Sequence, residues 1–126
     1  MGHNSIRKGA IGELYVIGDL LEKGYDVYTP VIDDNGVDFL VVNGDIVKKV
    51  QCKARTLHKK ATSIEIDIRT IYNADVLAVP VKDYDFVCYV DIKKVSKRAF
   101  TLAYKPSLSG QKSVRNWYEN FLDFPW

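Results

Sequence analysis

Asp38, Gln51 and Lys53 carry the strongest chemical signal in this 126-residue sequence. They stand in the stretch 37–55, VDFLVVNGDIVKKVQCKAR, which reads as two β-like runs around a turn signal. A carboxylate and an amide oxygen on adjacent strands can hold a hard divalent cation such as Mg²⁺, which prefers oxygen and keeps several of its waters. A lysine two residues beyond the amide can orient a water or neutralise a pentavalent phosphate. Metal, in-line water and charge compensation are the components of phosphodiester hydrolysis. A cross-strand ion pair from Asp38 to a lysine is the simpler account of part of the pattern, worth less than ~1 kcal/mol.

The two strands must bring these groups together. Asn43-Gly44 or Gly44-Asp45 makes a two-residue hairpin turn. The first sets Asp38 opposite Lys49, the second opposite Gln51. Both registers have the same parity, so Asp38 shares a face with Lys49, Gln51, Lys53 and Arg55 in either case. The other face, with Phe39, Val41, Ile46, Val50, Cys52 and Ala54, is mostly apolar and is expected to meet the core. Cys52 reads as a packing residue on that face.

Charge is distributed unevenly. The formal net charge is only +2, from 18 Lys+Arg and 16 Asp+Glu. Lys48, Lys49, Lys53, Arg55, Lys59 and Lys60 form one block without an acid. Lys93, Lys94, Lys97, Arg98, Lys105, Lys112 and Arg115 form a second, so 13 of the 18 cations fall in two segments. Between Asp33 and Asp45 there are four acids and no base. Two solvated faces would explain one such block; two blocks beside an acidic segment fit a polyanion surface next to a cation-binding spot.

Around this hairpin the chain reads as one α/β domain, 1–126, without repeat or linker. Ile6 to Lys23 is expected to be helical, with Ala10, Leu14, Ile17 and Leu21 at three- and four-residue steps, Asn4 or Ser5 as cap and Gly24 at the C-terminal end. Strands are expected over 25–31, 37–42, 46–55, 63–68, 76–81 and 86–92, with a further one at 100–104. A short helix presenting Trp117 and Phe121 is expected from Ser113. A hydrophobic fraction of 47% and a charged fraction of 27% exclude wholesale disorder. No apolar run approaches the ~18–20 residues of a spanning helix, and the N-terminus shows neither an export signal nor a myristoylation motif. Cys52 and Cys88 lack metal-ligand spacing and the density of a secreted scaffold, which points to a cytoplasmic protein with no membrane partner.

The helix sequence KGAIGELYVIGDLLEKGYDVY, followed by VIDDNGVDFLVV and VQCKAR, resembles the PD-(D/E)XK nuclease superfamily. Its small members carry a Lys-Gly-x-x-Gly-Glu-like helix, then Gly-x-Asp and Glu/Gln-x-Lys on a hairpin. Within it, the chain looks most like homing endonucleases of cyanobacterial type and more distantly like archaeal Holliday junction resolvases. The resemblance covers roughly 8–55 and implies a restriction-endonuclease-like core, with the N-terminal helix packed on a mixed central β-sheet. It also implies roles. Asp38 would be the principal metal ligand, Gln51 the second-strand ligand, Lys53 the catalytic lysine and Glu13 an accessory ligand, direct or through water. The backbone carbonyl of Cys52 would complete the sphere. Val37 replaces the signature proline, and Gln51 replaces the usual acid, which removes one negative charge from the site.

These residues together imply an endonuclease dependent on Mg²⁺, with Mn²⁺ as a substitute, cutting double-stranded DNA. One site per short chain implies a homodimer or homotetramer for double-strand cleavage. Phosphates would track Lys48, Lys49, Arg55, His58, Lys59, Lys60, Lys112 and Arg115. The alternatives are a junction-resolving nuclease, an inactive DNA-binding module that keeps the fold, and a small interaction protein with solvated basic faces. Asp33-Asp34-Asn35-Gly36 lacks the spacing of a calcium loop and reads as a turn, with Asp34 near the metal. Tyr84, Trp117, Tyr118 and Trp126 read as core or interface rings. Glu65 and Asp67, alternating with Ile64, Ile66 and Ile68, read as the outer face of a half-buried strand.

Overall fold

The computed structural model describes residues 2–82, 85–95, 98–106 and 115–126. Helix α1 (Gly2–Glu22) begins earlier than the expected cap and ends where glycine was expected to end it. Gly24 adopts φ +87°, the Gly24 N–H donates to the Leu21 carbonyl at 3.0 Å, and the Tyr25 N–H donates to the Leu20 carbonyl at 3.1 Å. A side chain at Gly24 would be strained in that left-handed conformation.

Seven strands follow at the expected places: β1 (Asp26–Tyr28), β2 (Phe39–Asn43), β3 (Ile46–Cys52), β4 (Ser63–Asp67), β5 (Val76–Pro80), β6 (Val87–Asp91) and β7 (Ala99–Ala103). Five form a central sheet in the order β1-β2-β3-β5-β6, while β4 and β7 pair as a separate antiparallel ribbon. Only the β3–β5 pair is parallel in the central sheet, which is therefore mixed, as expected.

The sheet has a core on each face. Val16 and Leu20 of α1 pack on Phe39, Val41, Val50 and Val76. On the other side Leu77, Val79 and Val90 meet Ile66, Phe100 and Leu102 of the β4–β7 ribbon. Period-2 alternation along β5 sends Val76 and Ala78 to one core, Leu77 and Val79 to the other. A strand covered on both faces has no polar side, so β5 is buried throughout.

The stripe Ala10–Leu14–Ile17–Leu21 that marks α1 in the sequence is not the one it buries. Leu14 and Leu21 are exposed, and Gly12, Val16 and Leu20 face the sheet. The helix is apolar on several sides, so step counting admits more than one stripe. Close approach at Gly12 selects among them. The C-terminal helix is a 3-10 turn, Tyr118–Phe121, while Ser113 lies outside the described residues. Beyond it Phe124 and Trp126 close over Tyr25, with ring centroids 6.0 and 4.9 Å from it.

Candidate active site

The site begins at the β2–β3 hairpin. Asn43 pairs with Ile46, so the turn is Gly44-Asp45. Gly44 takes φ +61° and Asp45 does not have a positive φ, the pattern of a type II′ turn. Of the two registers compatible with the sequence, this one sets Asp38 opposite Gln51. At Asp38 the two strands part. Its N–H donates to the Val50 carbonyl at 2.9 Å, and its Oδ2 accepts the Cys52 N–H at 2.7 Å. A side-chain oxygen thus takes the place of a ladder carbonyl just before β2 begins. This fixes the Asp38 carboxylate at the edge of the fork.

Two further carboxylates converge there. Oxygens of Glu13, Asp33 and Asp38 all lie within 4.8 Å of one another. Glu13 is delivered by α1, one residue after the glycine that touches the sheet, and Asp33 by the loop between β1 and β2. Asp33, and not Asp34, is the loop acid that joins the cluster, and the sequence pattern does not single it out as a site residue. Its signal was the acidic 33–45 segment, but nothing in the spacing of a loop says which of two neighbouring acids turns inward.

The cluster is electrostatically loaded. The Glu13 carboxyl is pushed up to about 7, first by burial and then by the charges of Asp38 and Asp33. Burial also raises Asp38, partly offset by the hydrogen bond from Cys52. Glu13 and Asp38, both raised and gathered with Asp33, fit a site completed by a cation. An all-oxygen donor set suits a hard ion such as Mg²⁺ or Mn²⁺. Gln51 adds to this fit. Its Oε1 is buried without a hydrogen-bond partner, a loss of about 1–3 kcal/mol that a metal ion or its water would remove.

Lys53 follows Gln51 by two residues. It is half-buried, its Nζ is hydrogen-bonded to the Thr70 hydroxyl, and burial and then Arg55 lower its pKa. A lysine with a reduced hold on its proton can pass it on. The Cys52 thiol is raised by burial and by the nearby carboxylates, which leaves it in the un-ionised form of a packing residue.

The basic residues divide by location. Lys48 is half-buried opposite Val41, on the α1 side of the sheet. Lys49 is exposed, and its Nζ donates to Asn73 Oδ1 at 3.4 Å. His58, Lys59 and Lys60 sit in the exposed loop after β3, with Arg55 half-buried before them. Arg115 donates to the Lys105 carbonyl at 2.6 Å and lies 5.0 Å over the Trp117 ring. Lys112 and Tyr84 fall outside the described residues. Among the described residues, no helix is long and apolar enough to cross a membrane.

A sequence model described as PD-(D/E)XK endonuclease matches residues 3–90. Among solved structures, the bacterial homing endonuclease I-Ssp6803I aligns with a TM-score of 0.69 at 20% identity, covering 86% of this chain and 80% of its own. Hjc, a Holliday junction resolvase of the archaeal hyperthermophile Archaeoglobus fulgidus, aligns with a TM-score of 0.49 at 12% identity, over 76% of this chain and 84% of its own. No match is found among curated proteins. The first alignment shows a shared fold, with the N-terminal helix on a mixed sheet.

Proposed function

Because the chain belongs to the PD-(D/E)XK endonuclease family, we propose that it is a cytoplasmic DNA endonuclease dependent on a divalent metal and cutting both strands in the manner of a homing endonuclease. The observation that carries this reading is the convergence of Glu13, Asp33 and Asp38 oxygens within 4.8 Å beside the strand that bears Gln51 and Lys53. Glu13, Asp38, Gln51 and the Cys52 carbonyl would hold Mg²⁺, with Asp33 as a further acid. The ion, when bound, acidifies a water and withdraws charge from a phosphoryl oxygen.

The protein's own groups do the rest. Asp38 is kept in place by the Cys52 N–H and is ready to accept positive charge without rearrangement. The Lys53 ammonium, released from Thr70, neutralises the equatorial oxygens as negative charge grows on the phosphoryl group. Lys48, Lys49, Arg55, His58, Lys59, Lys60, Lys112 and Arg115 are proposed to follow the DNA backbone. Binding is then dominated by phosphate contacts and falls steeply with salt. Double-strand cleavage from a chain with one such site calls for a homodimer or homotetramer.

Gln51 supports a second reading, an inactive DNA-binding module, because a neutral ligand weakens the site's hold on a cation. Plasmid, linear and four-way-junction DNA incubated with Mg²⁺ or Mn²⁺ separates the two. Cleavage by the wild type that is lost in Lys53→Ala is expected. Equal inertness of both proteins on every substrate, with salt-sensitive binding retained, would leave the inactive module.

A further inference from the structure

A cavity of about 560 Å³ lies beside α1 at the C-terminal ends of β3 and β5. Lys8, Arg55, His58 and Lys82 line it, and no carboxylate does so among the described residues. Lys8 and Lys82 belong to neither basic block of the sequence. Apart from Thr56, the rest of its wall is mainly apolar, with Ile11, Tyr15, Pro80 and Phe86. Gly12 lines the cavity, while Glu13 beside it belongs to the carboxylate cluster. The two places therefore flank the same turn of α1.

A duplex backbone running over a surface needs point charges and no enclosed volume. This cavity has the size of a small-molecule site, and its aromatic and aliphatic wall offers nothing to phosphate oxygens. A wall of that kind complements the flat face of a nucleobase, and the cations complement the phosphate attached to it. The parts are also held ready. The Phe86 ring stacks on Tyr118 at 4.8 Å and 8°, and Tyr118 stacks on Tyr104 at 5.1 Å and 8°. The Lys82 N–H donates to the Arg55 carbonyl at 3.1 Å, which couples the backbones carrying two of the cations. The Phe86 ring, already fixed, loses little freedom when a ligand arrives.

We propose that this cavity receives one unpaired nucleotide of the bound DNA, with its base against Tyr15 and Phe86 and its phosphate among Lys8, Arg55 and Lys82. The inference rests on the nucleic-acid reading above and adds a structural preference to it: DNA with a looped-out or unpaired nucleotide near the cut is favoured over perfect duplex. Extruding a base from a paired stack costs a few kcal/mol, a cost that an already unpaired nucleotide escapes.

The test compares two labelled duplexes, identical except for one unpaired nucleotide, by fluorescence anisotropy in EDTA, with cleavage in Mg²⁺ followed in parallel. The unpaired form is expected to bind roughly fivefold tighter or more, on the strength of one base–aromatic stack. Tyr15→Ala, at an exposed helical position, is expected to remove that preference, Tyr15→Phe to keep it, and Lys82→Ala to reduce it several-fold. Equal affinity for the two duplexes, or a preference that survives both Tyr15→Ala and Lys82→Ala, overturns the pocket. If the paired duplex is cut without preference, the pocket falls and the nuclease reading stands. If the preference is present and nothing is cut, the nuclease reading falls and the pocket stands.

Discussion

Gly12 and Ala54 meet so closely that a methyl group on the Gly12 Cα would lie 2.7 Å from the Ala54 Cβ and 3.2 Å from Pro80 Cγ. This contact sets the distance of α1 from the ends of β3 and β5. The next helical residue, Glu13, then reaches Asp33 and Asp38. Neither Ala54 nor Pro80 has a flexible tip that could swing aside, so the helix itself would have to move.

Gly12→Ala is therefore expected to lower stability. Overpacking costs about 1–3 kcal/mol, against roughly 1 kcal/mol gained in helix propensity. Cleavage should fall more than stability, because the displaced helix carries Glu13 with it. Gly9→Ala is the control, since a Cβ there meets nothing within 4 Å and the substitution should raise the melting temperature. Thermal melts of both variants check this; an unchanged melt and full activity in Gly12→Ala would show that the contact relaxes freely.

Asp33→Asn is expected to weaken metal binding less than Asp38→Asn does. Asp33 is exposed on a loop, whereas Asp38 is half-buried and anchored by the Cys52 N–H. Calorimetric titration with Mg²⁺ and Mn²⁺ distinguishes the two. An Asp33→Asn protein with unaltered affinity would remove Asp33 from the site. Removing the Asp33 charge should also let Glu13 ionise at lower pH.

The metal-free protein should become less stable as pH rises from about 4.5 to about 7. Glu13 is raised in the folded state, so its favourable contribution is complete below the unfolded value and is lost as pH climbs through the folded one. Glu13 is half-buried and still reached by solvent, and screening keeps the effect to about 1 kcal/mol or less. Mg²⁺ should flatten the profile, and metal affinity should rise over the same interval as the carboxyl deprotonates. Urea midpoints at several pH values, with EDTA or with Mg²⁺, measure both; a profile identical in the two conditions would contradict a metal at Glu13.

Lys53→Met is expected to reduce cleavage by about 10²-fold or more while changing stability by less than about 0.5 kcal/mol. The bond from the half-buried Lys53 to the exposed Thr70 is open to water and contributes little to folding. Single-turnover cleavage at saturating protein separates loss of chemistry from loss of binding. A large drop in DNA affinity with unchanged turnover would make Lys53 a phosphate contact instead.

Local pattern in the sequence was enough to place the seven strands, the glycine at the end of α1 and the pairing of Asp38 with the Gln51–Lys53 strand. Each depends on a signal a few residues long: period-2 alternation, a left-handed glycine, a two-residue turn. Asn43-Gly44 and Gly44-Asp45 were equally legible as turns, and the pairing of Asn43 with Ile46 chose the second. Tertiary structure decided what depends on groups far apart in the chain. The face of α1 that is buried follows from a contact 42 residues distant, Gly12 on Ala54, which no helical periodicity contains. Asp33 joins the carboxylates because its loop folds toward the fork, and Lys8 and Lys82 line one cavity only because α1 packs on β5. Short-range pattern specified the catalytic hairpin; the helix-to-sheet distance, set by packing, decided which other charges gather around it.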